Sequence, residues 1–300
     1  MTYPALMLIF CSVLLHALWH FICKSRNPHL GFFVVFSFAI LCTMLPLMLF
    51  SGIRPAAIPP AVWLCAAAGG VSGMVCDIGL GYAYRNSDIS LAYPMARALP
   101  VLFTACVTQC LGIGKELSLP VLAAMGVIFL GCALLPLPDW RKIRLRSYCS
   151  KGMFGVLLAA VGTTCYTIAD GCGVPRMAAA APDCPVLLAA GCYSFWREAA
   201  AFVALNLGAV LLPGKRAYYT RDLWRQLQPY LAGMFAGCAY VLVLWAMKYV
   251  TNVSYVQAFR QISLPIGVVL GVVFLKERLS LQKIAAILMI LGGLGAVSLL

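Results

Sequence analysis

The chain has 300 residues, of which 63% are hydrophobic and only 10% are charged. Soluble domains have about 45–50% apolar and about 25% charged residues. With a mean hydropathy of +0.94, the chain has too few charges to cover a surface in water, so lipid must be its solvent. This excludes a cytosolic enzyme, a secreted disulfide-bonded domain and a nucleic-acid-binding protein. The net charge of +13 does not restore the last class, because the basic residues lie mainly between apolar runs.

Ten apolar segments are long enough to cross a bilayer, which takes about 20 residues per helix. The predicted spans are 4–22, 31–51, 60–84, 89–111, 119–136, 152–171, 185–212, 229–248, 252–275 and 280–299. The connections between them are too short for a separate soluble domain, and 171–185 is the least regular. We therefore predict an all-α polytopic membrane protein with ten transmembrane helices.

The positions of Lys and Arg predict the orientation. Three of the 22 lie inside spans, 15 lie in the connections after odd-numbered spans (the odd connections) and four lie in the connections after even-numbered spans (the even connections). The four are Arg54, Lys115, Arg176 and Lys248. The positive-inside rule places the odd connections in the cytoplasm and both termini outside.

The two halves of the chain match each other at a shift of about 162–164 residues. The matched positions include Arg97 with Arg260, Arg85 with Lys248, and Gly69 and Gly73 with Gly233 and Gly237. Each half holds five spans, an odd number, so the two copies enter the membrane in opposite directions. Inverted repeats of this kind are typical of secondary transporters with a substrate site near the midplane. We assign residues 1–150, with the basic linker 137–151, to the first five-helix repeat and residues 151–300 to the second.

Short motifs at the end of each half carry a family resemblance. In the second half, Leu264-Pro265 precedes Phe274-Leu275-Lys276-Glu277-Arg278-Leu279-Ser280 and a last span with Gly292, Gly293 and Gly295. The first half has a weaker copy in Leu99-Pro100 and Lys115-Glu116-Leu117-Ser118. With its ten spans in two halves, the whole chain resembles the drug/metabolite transporter (DMT) superfamily, EamA type.

This resemblance implies a basket of ten helices around a central cavity, alternating access, and movement of a small metabolite, often outward, across a bacterial inner membrane. The chain departs from the small multidrug branch, which keeps an essential carboxylate in span 1. Here span 1 offers His16 and His20. Exchange of cationic drugs for protons at such a carboxylate is therefore not expected.

Two arginines at equivalent positions are the leading candidates for substrate binding. Arg97 and Arg260 lie about a third to halfway along their spans, where an ionised side chain is expensive and needs a partner or a function. A guanidinium can hold a carboxylate or phosphoryl group through two parallel hydrogen bonds. The alternative is structural pairing with Asp77, Glu198 or backbone carbonyls. Pro94, Pro100 and Pro265 predict kinks in spans 4 and 9, which would free backbone carbonyls to face the cavity.

Arg197 and Glu198 are neighbours in the middle of span 7. Because adjacent helical residues point about 100° apart, we expect each to pair with another helix or with water rather than with the other. Arg197 is a candidate substrate-binding residue. Glu198 is the favoured proton-coupling carboxylate, with an interhelical polar clamp as the alternative.

Four other polar residues interrupt the apolar spans. For Asp77, structural pairing with an arginine of span 4 or span 9 is favoured over coupling. Asp170 is expected near the membrane interface, at the end of span 6, where it caps the helix or pairs locally. His16 and His20 share one helical face, and a cavity-lining or proton-sensing pair is favoured over a metal site, since no third ligand is evident. Cysteines within the apolar runs show no metal-ligand spacing and are interpreted as packing residues.

Together these features favour a secondary transporter, and not an enzyme, for a small anionic or zwitterionic metabolite. Tyr93, Tyr240 and Trp245 are further candidates, positioned to enclose the apolar part of the substrate. The partners of the transporter would be that small molecule, the bilayer and protons as the coupling ion. No cofactor is expected, and the sequence does not determine the oligomeric state. The alternative is a polytopic membrane enzyme acting on a lipid or isoprenoid. It is disfavoured because such enzymes cluster catalytic residues at one interface, whereas these charges are scattered.

Overall fold

The computed structural model describes residues 3–24, 30–86, 89–114, 116–134, 137, 151–211, 222–266 and 280–299, apart from the side chains of residues 21, 24, 89–94, 257 and 298. The helices are α1 Tyr3–Lys24, α2 Leu30–Phe50, α3 Pro60–Asn86, α4 Ile89–Cys110, α5 Leu119–Leu134, α6 Lys151–Ala180, α7 Val186–Leu211, α8 Leu227–Met247, α9 Val253–Phe259 and α10 Leu281–Leu299. Short 3-10 turns occupy Pro55–Ala57, Leu223–Arg225 and Arg260–Ile262. The predicted all-α fold with ten helices is confirmed, and the described residues contain no strand.

Length and apolar composition make most of these helices suited to lipid. Six of them, α1, α2, α3, α6, α7 and α8, are long and apolar enough to cross a membrane, and α4, α5 and α10 contain shorter apolar stretches. Large apolar side chains cover the outer surface; Leu119 and Leu281, for example, are 78% and 81% exposed. Because α-helices satisfy their own backbone hydrogen bonds, such a surface is stable against hydrocarbon.

Helix α6 corrects one predicted boundary. It runs to Ala180 with Pro175 inside it, whereas the sequence predicts a span that ends at 171 and a connection over 171–185. Membrane helices tolerate proline when neighbouring groups satisfy the freed carbonyl, so the Gly and Pro residues of this stretch do not end the helix. The connection to α7 is shorter than predicted.

The ninth predicted span is interrupted near its middle. Helix α9 ends at Phe259, a 3-10 turn follows at Arg260–Ile262, and the chain is helical again at 263–266. Pro265 has no N–H to continue the α-helical ladder, which explains the change of hydrogen bonding just before it. The rest of this span, 267–275, and the motif residues 274–279 lie outside the described residues.

The helix contacts follow a two-fold pattern. The principal packed pairs are α3–α6 with α1–α8, and α3–α7 with α2–α8, while α2 packs on α7 and α5 on α10. If each helix of α1–α5 is exchanged with the corresponding helix of α6–α10, the pair α3–α6 becomes α1–α8, and the pair α3–α7 becomes α2–α8. The pairs α2–α7 and α5–α10 are unchanged by the exchange. This is the packing that an inverted repeat produces. The repeat boundary at 150 lies outside the described residues and stays a prediction.

The largest apolar core lies toward the even connections. Its members include Ile9 of α1, Val62 of α3, Ala189 of α7 and Leu244 of α8, all in the parts of their helices nearest those connections. Toward the odd connections the core divides into two smaller clusters. One joins α1, α2, α7 and α8, and the other joins α3, α4 and α6. The large core also reaches toward the odd connections along α5 and α10, through Cys132 and Ala286. Among the other helices, the packing is continuous near the even connections and divided near the odd ones.

Candidate functional site

A cavity of about 110 Å³ lies between the two halves, with residues of α1–α4 on one side and of α6–α8 and the turn Arg260–Ile262 on the other. The structure brings eight of the ten predicted site residues to its wall: His16, His20, Asp77, Arg97, Arg197, Glu198, Tyr240 and Arg260. Trp245 does not line the cavity. The side chain of Tyr93 lies outside the described residues.

Arg97 is held by several hydrogen bonds that join α4 to the other half of the protein. Its Nη2 donates to the carbonyl oxygen of Arg260 at 2.8 Å and to Ser263 Oγ at 3.1 Å. Its Nη1 lies 2.9 Å from His16 Nε2. The side chain is only 9% exposed. Arg97 therefore connects α1, α4 and the interrupted ninth span, where the Arg260 carbonyl is its backbone acceptor.

The histidines of α1 form a compact aromatic group beside this arginine. His16 Nε2 lies 3.1 Å from His20 Nε2, and Trp19 Nε1 donates to His16 Nδ1 at 2.8 Å. The Trp19 ring also stacks on His20 at a centroid distance of 3.5 Å. No three His, Cys, Asp or Glu side chains come together as metal ligands within the described part of the chain. These histidines line the cavity as a packed pair.

Arg197 pairs with its own neighbour, and this corrects the sequence prediction. Its Nη1 donates to Glu198 Oε2 at 3.0 Å. The prediction considered only the 100° between the two Cβ directions, but the long arginine side chain bends far enough to reach the adjacent carboxylate. Glu198 also accepts a hydrogen bond from Ser37 Oγ of α2 at 2.5 Å. Glu198 is thus fixed where α2 crosses α7.

Asp170 is a buried member of the same network and does not lie at the membrane interface as predicted. It is 0% exposed, and its Oδ2 lies 3.6 Å from Arg197 Nε. Tyr193 donates to it at 2.8 Å, and Tyr240 donates to its other oxygen. The prediction was wrong because it ended α6 at 171, whereas the helix continues for more than two turns beyond Asp170.

Aromatic rings complete the surroundings of Arg197. Its guanidinium carbon lies 4.5 Å from the Tyr240 ring centre and 5.3 Å from that of Tyr166. A cation against an aromatic face gains electrostatic attraction, more so away from water. Two carboxylates and two rings therefore neutralise the Arg197 charge. Tyr166 is a cavity-lining residue that the sequence analysis did not identify as a site candidate.

Glycines of α3 provide the space for this network. A Cβ at Gly69 would lie 2.8 Å from Asp170 Oδ1, and one at Gly73 would lie 3.5 Å from Arg197 Nη2. Gly70 lies closest to the α7 backbone, because a Cβ at this position would be 2.5 Å from the Arg197 carbonyl oxygen. Gly233 lies similarly close to α2, because its Cβ would be 2.3 Å from the Phe36 carbonyl oxygen. The structural counterpart of Gly233 is therefore Gly70 rather than Gly69, at the same shift as the arginine pair.

Arg260 and Asp77 differ from the other charged residues of the cavity wall. Arg260 is 4% exposed, and its guanidinium forms no hydrogen bond or ion pair with any described residue. Asp77 likewise has no ion-pair or hydrogen-bond partner in the described part of the chain. The predicted pairing of Asp77 with Arg97 or Arg260 does not occur in this structure.

The fold and the site define a ten-helix membrane protein with a polar cavity enclosed by two halves. Residues 188–299 match the model of the EamA-like transporter family. The region from α7 to α10 is therefore EamA-like, and the resemblance to the DMT superfamily is confirmed. Members of this family are transporters and not enzymes, so the match indicates a DMT-type transporter and does not favour a membrane enzyme.

Structural comparison shows that the fold of the whole chain also occurs among solved structures. Among solved structures, 27 chains match. One, described as "Crystal structure of protein", is 16% identical and has a TM-score of 0.70, and the match covers 100% of this chain and 98% of that one. At this identity the likeness concerns the fold alone. No curated protein matches the chain in sequence.

Proposed function

We propose that this protein is a secondary transporter that exports a small anionic or zwitterionic metabolite by alternating access at the central cavity. The observation that carries the proposal is Arg260, a buried cation that lines the cavity and has no partner among the described side chains. A buried charge without a partner is costly, and an anionic group of the substrate would offset that cost. Arg97, beside it, adds a second positive charge.

The uneven packing of the molecule supports alternating access. The cavity lies between the midplane and the odd connections, where its wall includes His20 near the end of α1 and Ala159 near the start of α6. The continuous core closes the other side. With the orientation from the positive-inside rule, this conformation faces the cytoplasm, as an exporter must when it takes up substrate. A bacterial inner membrane is the location that this proposal includes.

Glu198 is the proposed proton-coupling carboxylate. It lines the cavity and, when ionised, is bound by both Ser37 and Arg197. A proton on Glu198 would remove its ion pair with Arg197 and weaken the contact between α2 and α7. Protonation and movement of the two halves would thereby be linked. The sequence contains no GxxxxGK[ST] nucleotide-binding loop, and a gradient is the proposed source of energy.

Counterflow in liposomes tests this function. Purified protein is reconstituted and assayed with labelled carboxylic acids, amino acids, phosphonates and amines, each with and without an imposed pH gradient. We expect exchange of an acid or zwitterion that Arg260→Gln reduces at least tenfold and that the exposed control Arg54→Gln leaves unchanged. Glu198→Gln should retain counterflow but lose the response to the pH gradient. Exchange of amines alone, or equal activity in Arg260→Gln, would contradict the proposal.

A further inference from the structure

The charged side chains of the site separate into two groups of opposite character. Arg97 and Arg260 meet where α4 contacts the interrupted ninth span, since Arg97 Nη2 is 2.8 Å from the Arg260 carbonyl. No carboxylate forms an ion pair with Arg260 in the described structure. This part of the cavity is basic.

Acidic residues predominate at the junction of α3, α6 and α7. Among the described residues, Arg197 is the one arginine that pairs there, and it contacts two carboxylates, Asp170 and Glu198. Asp77 belongs to the same group, because it lies one helical turn after Gly73, the position whose Cβ would be 3.5 Å from Arg197 Nη2. Helical side chains point toward the helix N-terminus, which directs Asp77 toward this turn. Three carboxylates and one arginine therefore lie in this part of the cavity, and only Asp170 and Glu198 pair with that arginine.

Two opposite charges consequently face the same cavity without neutralising each other. Arg260 and Asp77 both line it, yet they do not form an ion pair. An ion removed from water costs several kcal/mol unless it is paired and hydrogen-bonded. A single ligand that carries both signs would satisfy both residues at once, whereas a simple anion would leave the acidic end unsatisfied.

From this arrangement, and resting on the proposed function, we propose that the transported ligand is a zwitterion. Its anionic group binds Arg260, next to Arg97, and its ammonium group binds Asp77. Asp77 is then the residue that distinguishes a zwitterion from an anion of the same carbon skeleton. Arg260 recognises the group that the two have in common.

The experiment measures binding to the purified full-length protein by thermal shift and calorimetry. The probes are α-, β- and γ-amino acids, aminophosphonates and aminosulfonates, each with two matched analogues, one without the amino group and one without the acidic group. We expect the zwitterion of a set to bind at least tenfold more tightly than either analogue. Asp77→Asn should remove this preference by weakening the zwitterion about 10- to 100-fold, the range for loss of a charged hydrogen bond, and should change binding of the deaminated analogue less than threefold.

Retained binding of the deaminated analogue shows that Asp77→Asn is folded, and the exposed control Asp183→Asn should match the parent throughout. Arg260→Gln should abolish binding of both acidic probes. If deaminated acids bind as tightly as zwitterions in an Arg260-dependent way, and Asp77→Asn changes neither, the zwitterion inference is overturned while the proposed function stands. If amines alone bind, or no probe binds, the inference is overturned, and in the first case the proposed function is overturned with it.

Discussion

At the level of single residues, the three buried arginines differ in how far the protein already satisfies them. Arg197 is surrounded by two carboxylates and two tyrosine rings. Arg97 is bound to a carbonyl and a hydroxyl oxygen of the other half. Arg260 has no partner of either kind in the described structure. This difference separates Arg97 and Arg197, which join parts of the molecule, from Arg260, the residue that we propose binds the ligand.

The two equivalent arginines are therefore expected to differ in their effect on stability. Arg97→Gln removes charged hydrogen bonds between the halves, and we expect it to lower the free energy of unfolding by about 2 kcal/mol. Arg260→Gln removes an uncompensated charge, so the ligand-free protein should be unchanged or slightly more stable. Thermal unfolding of both variants in the same detergent, without ligand, measures the difference. Equal destabilisation by the two substitutions would show that Arg260 also has a structural role.

At the level of helices, the short distance between the backbones of α3 and α6 depends on glycines in both helices. A Cβ at Gly155 would lie 2.6 Å from the Ala83 nitrogen and 2.7 Å from the Gly79 carbonyl oxygen. These are backbone atoms of a neighbouring helix and cannot move aside as a side chain can. Small residues at such crossings allow the dispersion contacts that hold membrane helices together.

A methyl group at this crossing should force α3 and α6 apart. We expect Gly155→Ala to destabilise the protein by about 1–3 kcal/mol, the usual range for overpacking. Gly208→Ala on α7 is the matched control, because nothing lies within 4 Å of its added Cβ. Both are measured by thermal unfolding. A Gly155→Ala protein as stable as the Gly208→Ala protein would show that the crossing is looser than the structure indicates.

The positions of the helices could be predicted from the sequence more completely than their contacts. Bilayer thickness and the avoidance of charge determine where a span lies, and both leave a local signal. The end of α6 had no such signal, since the Gly and Pro residues near Pro175 are tolerated inside a packed membrane helix. Asp170 was misplaced for that reason.

The candidate site was predictable as a set of residues but not as a set of pairs. Burial cost identifies Arg97, Arg260, Asp77 and Glu198 as residues that need an explanation. Which carboxylate meets which arginine depends on how α3, α6, α7 and α8 cross, and that information is distributed over the whole chain. The bond from Arg197 to Glu198 in particular depends on the flexibility of one side chain.

At the level of the whole molecule, the halves are joined near the even connections by a polar contact that the proposed transport cycle would break. Thr108 Oγ1 of α4 lies 3.1 Å from Ser254 Oγ of α9, and both residues are buried. Nearby, Asn252 Nδ2 donates to the carbonyl of Ile113 at 3.4 Å. These contacts join the even connections of the two halves. If the halves rock about the cavity, this is where they must separate for the ligand to leave.

A reversible cross-link at this position should therefore stop transport without preventing binding. A disulfide needs sulfur atoms about 2.05 Å apart, and the hydroxyl oxygens of Thr108 and Ser254 are close enough for cysteines there to bond after a small shift. We expect oxidation of the Thr108→Cys/Ser254→Cys protein to reduce its counterflow activity at least tenfold while ligand binding from the odd side is retained. A reductant should restore the counterflow activity. Each single variant keeps the native thiols and serves as its control. If the even side is the exit, holding it closed leaves a substrate in the cavity no path to the other side of the membrane. Undiminished counterflow in protein shown by mass spectrometry to be cross-linked would therefore contradict the prediction that the ligand leaves between Thr108 and Ser254.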